Sequence, residues 1–108
     1  MNVKIQSVKF DADQKLVDFI QLKLSKIGRF IQAKMDKMDR FLERAIGAQV
    51  TLRIDKDDEQ GNKVAIVKLN VAGGELVADR RSKSFEESVD LCIDAIKKQI
   101  EKFKEKRK

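Results

Sequence analysis

The apolar residues of this 108-residue chain change their spacing along the sequence, and the order of the changes restricts the fold more than any other feature. Residues 85–103 carry an apolar residue every three or four positions, which is typical of an amphipathic helix. Residues 49–55 alternate apolar and polar side chains, which is typical of a half-buried strand. A chain of this length forms a single domain, 1–108, so both kinds of element must share one core.

Six segments with these patterns follow one another. Strands are predicted over residues 2–10, 49–55, 63–71 and 75–81, and helices from Gln14 to about Arg44 and from Phe85 to about Lys104. Asp11 and Ser84 are the predicted N-caps of the two helices. A change of parity between Ile5 and Val8 predicts a bulge or bend in the first strand. We therefore predict an α+β fold, β-α-β-β-β-α, with a four-stranded sheet, both helices on one face and an unusually long first helix.

The first helix contains an eleven-residue repeat. Residues 19–29 read FIQLKLSKIGR and residues 30–40 read FIQAKMDKMDR, with six of the eleven positions identical. Eleven residues are close to three helical turns, so such an insertion lengthens a helix and keeps its apolar stripe on one face. We interpret the repeat as a tandem duplication, with chance similarity in a Lys-rich helix as the alternative. Because glycine costs only about 1 kcal/mol inside a helix, we expect the helix to continue through Gly28 rather than break there.

The predicted first helix is longer than the sheet beneath it. It would span about 46 Å, whereas a seven-residue strand spans about 23 Å. About three turns should therefore extend beyond the sheet and expose apolar side chains. Because such surfaces normally find a partner, we expect a homodimer in which these turns pair or exchange between copies. Its interface would contain Ile27, Ile31, Met35 and Met38.

The balance of charge indicates an anionic partner. The chain has 24 basic and 18 acidic residues, a formal net charge of +6 and a pI near 9.5. This balance favours RNA, DNA or a membrane surface and does not choose among them. On a helical wheel, basic residues lie along one border of the first helix's apolar stripe: Lys15, Lys23, Lys26, Lys34 and Lys37. Lys-rich helices that only keep the protein soluble are the alternative.

A second basic cluster precedes the second helix. Arg80, Arg81 and Lys83 lie where the last strand ends, and free N–H groups at a helix N-terminus favour phosphate there. The chain has no Trp or Tyr, so a stacking platform for single strands is not supported. Binding to folded or double-helical RNA by shape and charge fits better.

The residue types argue against catalysis. The chain has no His and one Cys, which excludes His-based catalysis, zinc-finger ligand sets and an internal disulfide. No phosphate loop, nucleophile elbow or metal-binding spacing is present, so we expect no enzyme, no cofactor, no metal and no small-molecule substrate. Cys92 lies on an apolar stripe, and we interpret it as a buried, inert thiol. No apolar run approaches the roughly 18 residues of a membrane span, so we expect a cytoplasmic protein without a membrane partner.

The ordered segments carry a resemblance to a known family. They read MNVKIQSVKFDADQKLVDF (1–19), AQVTLRID (48–55), KVAIVKLNVAGGELVA (63–78) and SFEESVDLCIDAIKKQIEKFKE (84–105). Together they resemble the short ribosome hibernation-promoting factors, also called ribosome-associated inhibitors, of bacteria and plastids. The resemblance implies a domain that binds the small ribosomal subunit in the channel of mRNA and tRNA and blocks translation in resting cells.

The resemblance also implies a site. Basic residues of both helices and of the fourth strand's end would contact rRNA phosphates. By position these are Lys23, Lys26, Lys34, Lys37, Arg80, Arg81, Lys83, Lys97, Lys98 and Lys102. The first helix of that family lacks one copy of the eleven-residue unit. The alternative is therefore a diverged, non-ribosomal interaction protein that self-associates through its extended first helix.

Overall fold

The computed structural model of the chain describes residues 2–34, 47–56, 59, 61–71 and 74–106. The strands are β1 (Asn2–Val8), β2 (Gly47–Ile54), β3 (Lys63–Val71) and β4 (Gly74–Ser82), and the helices are α1 (Gln14–Lys34) and α2 (Phe85–Lys106). Their order along the chain confirms the predicted β-α-β-β-β-α fold.

The four strands form one mixed sheet in the order β1-β2-β3-β4. β1 pairs with β2 in parallel because α1 carries the chain back between them, whereas the other two pairs are antiparallel. Alternate residues of each strand face opposite sides of the sheet. The side that both helices cover is the buried one, with Ala48, Val50, Leu52, Ala65, Val67, Leu69, Leu76 and Ala78 in the core. The other side, called the open face below, carries mainly polar residues.

Helix α1 confirms most of its predicted pattern. Leu16, Ile20, Leu24 and Ile27 are buried along one side, and the helix continues through Gly28. The N-cap is Asp13 rather than Asp11, because the Asp13 carboxylate accepts a 2.9 Å hydrogen bond from the backbone N–H of Leu16. The helix is described as far as Lys34. The predicted continuation to Arg44 lies beyond the described residues, so the duplication remains an interpretation.

The prediction that Ile27 is exposed and lies in a dimer interface was wrong. Its side chain is 1% exposed and belongs to the core. The prediction assumed strands of seven residues, but β3 and β4 have nine each and span about 30 Å. Ile27 lies only about 20 Å along α1, so the sheet and α2 still cover it. The side chain of Ile31 and the whole of Met35 and Met38 lie outside what the structure describes.

The predicted bulge in the first strand was also wrong. β1 keeps one register with β2 from Asn2 to Val8. The chain turns just after the strand, at Lys9, which has a φ of 64°. This turn brings the ring of Phe10 against the ring of Phe85, with centroids 5.0 Å apart and planes 8° apart. The parity change in the sequence therefore marks the end of β1 and the docking of Phe10 on α2.

Helix α2 runs antiparallel to β4. Three side chains, taken in order along the helix, donate hydrogen bonds to strand carbonyls that lie progressively nearer the start of β4. They are Ser88 Oγ to Lys63, which pairs with Ser82, at 2.6 Å, Cys92 Sγ to Ala78 at 3.6 Å and Gln99 Nε2 to Val77 at 2.7 Å. Helix α1 likewise runs back along β1, because it joins two parallel strands. The two helices thus point the same way. Their C-terminal ends share one end of the molecule, and the turn from β4 into α2 lies at the other.

Candidate nucleic-acid interface

The shared C-terminal end of the helices carries a group of basic side chains. We call Lys26, Arg29, Lys97, Lys98 and Lys102 the helix-end group. All are exposed except Lys97, which is half-buried. In α2 the charges are ordered along the axis, with four acidic residues and no basic one over residues 85–96, and five lysines with two glutamates over residues 97–106. This order complements the helix dipole and gathers positive charge at the C-terminal end.

Lys23 lies between the two helices and differs from the helix-end group. Its Nζ is 3.0 Å from Asp90 Oδ1 on α2, and it also lies 5.3 Å from the centre of the Phe19 ring. The lysine side chain is 28% exposed and the aspartate 47%. Part of its charge is therefore neutralised within the domain, and its predicted contact with RNA stays a prediction.

The structure separates Arg80 from Arg81. Neighbouring strand residues point to opposite faces, so Arg80 points to the helix side at the edge of β4 and Arg81 to the open face. Arg80 Nη1 donates a 2.6 Å hydrogen bond to the carbonyl of Asp79, on the same strand. Arg81 Nη2 lies 2.6 Å from Asp55 Oδ2. The two side chains therefore lie on opposite faces of the sheet, and their predicted contacts with RNA stay predictions.

The N-terminus of α2 is closed as a phosphate site. Ser84 Oγ accepts a 3.1 Å hydrogen bond from the backbone N–H of Glu87, as a helix cap does. Glu86 and Glu87 in the first turn interact favourably with the positive end of the helix dipole. The expected phosphate affinity at this terminus is therefore low. Lys83 is exposed nearby and remains a separate charge.

Two predicted basic positions lie at or beyond the limit of the described chain. Lys34 is the last residue of α1, and its side chain is not described. Lys37 falls outside the described residues altogether. Both remain predictions, as does their membership in a duplicated unit.

The sequence analysis missed a basic pair on the open face. Arg53 and Arg81 lie two strands apart in one row, with Val64 between them. Both guanidinium groups bond to Oδ2 of Asp55, at 3.3 Å and 2.6 Å. The alternation within residues 49–55 places Arg53 and Asp55 on one face, which the sequence does show. The partner strand of Arg81 requires the sheet register, which it does not.

Other chemistry finds little support. Burial raises the pKa of the Cys92 thiol to about 11, and the sulfur contacts the carbonyl of Ala65 at 3.3 Å. A thiol that stays protonated is a poor nucleophile. Over the part of the chain that the structure describes, no three Cys, Asp or Glu residues are grouped to hold a metal ion.

None of the helices described here is both long and apolar enough to cross a membrane.

The fold and its basic helices define a class of small α+β domains, and comparison with known proteins places the chain in a family. The profile of the family described as sigma 54 modulation protein / S30EA ribosomal protein matches residues 3–108. The chain belongs to this family, which supports the resemblance seen in the sequence. No curated protein matches the chain.

Two solved structures show the same fold. One is a ribosomal subunit interface protein from Coxiella burnetii, with a TM-score of 0.70 and 16% identity over 96% of this chain and 98% of that one. The other is the N-terminal domain of Protein Y from Thermus thermophilus, with a TM-score of 0.69 and 17% identity over 95% of this chain and 99% of that one. At such identities the likeness establishes the fold and not the site.

Proposed function

We propose that this protein binds the small ribosomal subunit, occupies its mRNA and tRNA channel and so inhibits translation in resting cells. The observation that carries the proposal is the family match over residues 3–108. The fold is shared with a protein named as a ribosomal subunit interface protein, which agrees with this partner. The site of action would be the cytoplasm, where ribosomes are.

The helix-end group would supply the main contact. Its lysines and arginine would bind rRNA phosphates through charge and the release of counterions. No Trp or Tyr occurs in the chain, so recognition would depend on the shape of folded RNA rather than on stacked bases. Arg80, Arg81 and Lys83, at the opposite end, would contact a separate stretch of RNA.

Sedimentation through sucrose gradients with purified small subunits tests this proposal. We expect the protein to move with the subunit at low salt and to be released steeply as salt rises. Lys98→Glu should weaken co-sedimentation several-fold. Lys56→Glu changes the net charge equally at an exposed position far from the helix-end group, and it should have little effect. A wild-type protein that stays at the top of the low-salt gradient would contradict the proposal.

Self-association through the end of the first helix remains a separate proposal. Its predicted residues Ile31, Met35 and Met38 follow the buried part of the α1 stripe. Light scattering at micromolar concentration should give the mass of a dimer, and Met35→Lys with Met38→Lys should reduce it to that of a monomer. A monomeric wild-type protein would exclude this interface, whether or not the subunit is bound.

A further inference from the structure

The side of the helix layer that faces away from the sheet exposes one leucine on each helix. We call this side the outer face. Leu22 on α1 is 57% exposed and Leu91 on α2 is 39% exposed. Successive residues of a helix are about 100° apart, so Leu22 points away from the buried Ile20 and Leu91 points away from the buried Val89. Neither leucine therefore contributes to the core.

The two leucines lie at the same level of the helix layer. Lys23 follows Leu22 in the sequence and Asp90 precedes Leu91, and the charged atoms of this lysine and this aspartate are 3.0 Å apart. Because the two helices point the same way, positions equally far along the chain from the two leucines also lie level with each other. The outer face thus has an apolar centre with one leucine from each helix.

Both helices place charges around their leucine at the same spacing. An acidic residue lies four positions before it, Asp18 in α1 and Glu87 in α2, and a basic residue lies seven positions after it, Arg29 in α1 and Lys98 in α2. Spacings of four and seven keep these side chains on the face of the leucine. All four are exposed, and within the described part of the chain none of them belongs to an ion pair.

This order of charge is complementary to itself in one orientation. When two copies stack their outer faces with the helices antiparallel, the acidic end of each copy meets the basic end of the other. The acidic residues lie about 6 Å before the leucine and the basic residues about 10.5 Å after it, so a shift of about 4.5 Å between the leucines aligns the opposite charges. The arrangement has two-fold symmetry, and each contact occurs twice. Parallel stacking would bring like charges together.

The size of the outer face fits a reversible dimer. Helices of 21 and 22 residues are about 30 Å long, and two packed helices are about 20 Å wide, which gives about 600 Å² for each copy. The total of about 1,200 Å² lies at the lower end of specific protein interfaces, where association is weak or transient.

We propose that two copies of this protein form a reversible antiparallel dimer through the outer face, with the leucines at its centre and the acidic residues of each copy paired with the basic residues of the other. The pairs are Glu87 with Lys98 and Asp18 with Arg29. Because Arg29 and Lys98 belong to the helix-end group, the dimer covers side chains that would bind RNA. This competition with RNA rests on the proposed function, whereas the dimer rests on the leucines and the charges.

Analytical ultracentrifugation from micromolar to millimolar concentration tests the interface. Lys98→Glu and Glu87→Lys should each weaken the dimer about tenfold or more, because each places like charges opposite one another. In an equal mixture of the two variants every such contact again joins opposite charges, so a mixed dimer should form as in the wild type. A mixture that stays monomeric where the wild type is dimeric would overturn the proposal, as would a wild type that is monomeric throughout.

Leu22→Gln tests the apolar centre without changing any charge. It removes one leucine from each copy and should weaken the dimer about tenfold or more. Ile54→Gln is the matched control, because Ile54 is 46% exposed but lies on β2, and it should leave the dimer unchanged. Equal dissociation constants for Leu22→Gln and the wild type, at unchanged urea midpoints, would overturn the proposal.

Asp94→Asn tests the orientation of the two copies. Asp94 is exposed three residues after Leu91, and antiparallel stacking brings it near Asp94 of the second copy. Removing this repulsion should tighten the dimer. A weaker dimer would contradict the antiparallel arrangement.

The outcomes separate this dimer from the other proposals. A dimer through the end of the first helix would be lost in Met35→Lys with Met38→Lys, whereas the dimer through the outer face should persist. Dimers that re-form in the mixture of variants, with a wild type that does not sediment with small subunits, would retain the interface and remove the ribosomal partner. A wild type that sediments with small subunits but is monomeric at every concentration would retain the ribosomal partner and remove the interface.

Discussion

The two ends of the helix layer differ in what their polar groups do. At the turn from β4 into α2, polar groups are buried and bond to one another: the hydroxyls of Ser82 and Ser88 are 2.8 Å apart, and Ser82 Oγ also donates to the carbonyl of Ser84 at 2.6 Å. At the opposite end, Lys98 and Lys102 extend into solvent. The hydrogen bonds among the serines stabilise the fold, whereas the exposed lysines leave positive charge available to a partner. Substitutions at the two ends should therefore affect different measurements.

Gly61 lies in the loop between β2 and β3, and its backbone packs against the turn from β4 into α2. Gly61→Ala should produce the largest loss of stability. Gly61 has a φ of 106°, which L residues rarely adopt, and an added Cβ would overlap the backbone of Ser82 and Lys83. We expect the free energy of unfolding in urea to fall by more than about 2 kcal/mol. Gly74→Ala is the control, since its Cβ would meet nothing within 4 Å. Equal effects of the two substitutions would show that the turn is less tightly packed than the structure indicates.

Ser88→Ala should have the next largest effect. Ser88 is 0% exposed, and its hydroxyl donates to the carbonyl of Lys63 at 2.6 Å. Removing the hydroxyl leaves buried polar atoms without this partner, so we expect a loss of about 1–3 kcal/mol in urea unfolding. Ser25→Ala is the control, because Ser25 is an exposed serine in α1 and alanine favours the helix. A neutral Ser88→Ala would mean that the buried network does not hold the turn.

The same contrast shows what the sequence can predict. The buried stripe of α1 and the core side of β2 were predictable, because hydrophobic periodicity is a local property of the chain. The opposite directions of Arg80 and Arg81 were also available from strand alternation. The close approach of Gly61 to Ser82 was not, because it joins a loop to a distant turn. The bridge from Arg53 to Arg81 likewise depends on pairing between strands, which residue types alone do not specify.

Cys92 should make stability fall at high pH. Burial raises the pKa of its thiol to about 11, above the ordinary value of 9.0 that the unfolded chain would have. Below pH 9 the thiol is protonated in both states, and from there to about pH 11 only the unfolded chain ionises, which favours unfolding. Urea unfolding across this range should show a steeper decline for the wild type than for Cys92→Ala. Parallel curves would contradict the raised pKa, since lysine ionisation is common to both proteins.

The contact between Lys23 and Asp90 joins the two helices and should contribute least. Both side chains are partly exposed, and such ion pairs typically contribute about 0.2–1 kcal/mol. A double-mutant cycle with Lys23→Gln and Asp90→Asn should give a coupling energy of about 0.5 kcal/mol or less that declines with salt.

Because Asp90 competes with phosphate for Lys23, Asp90→Asn should also tighten RNA binding, while Lys23→Gln should weaken it less than Lys26→Gln does. An equal or larger loss with Lys23→Gln would show that the ion pair does not withdraw this lysine from the basic surface.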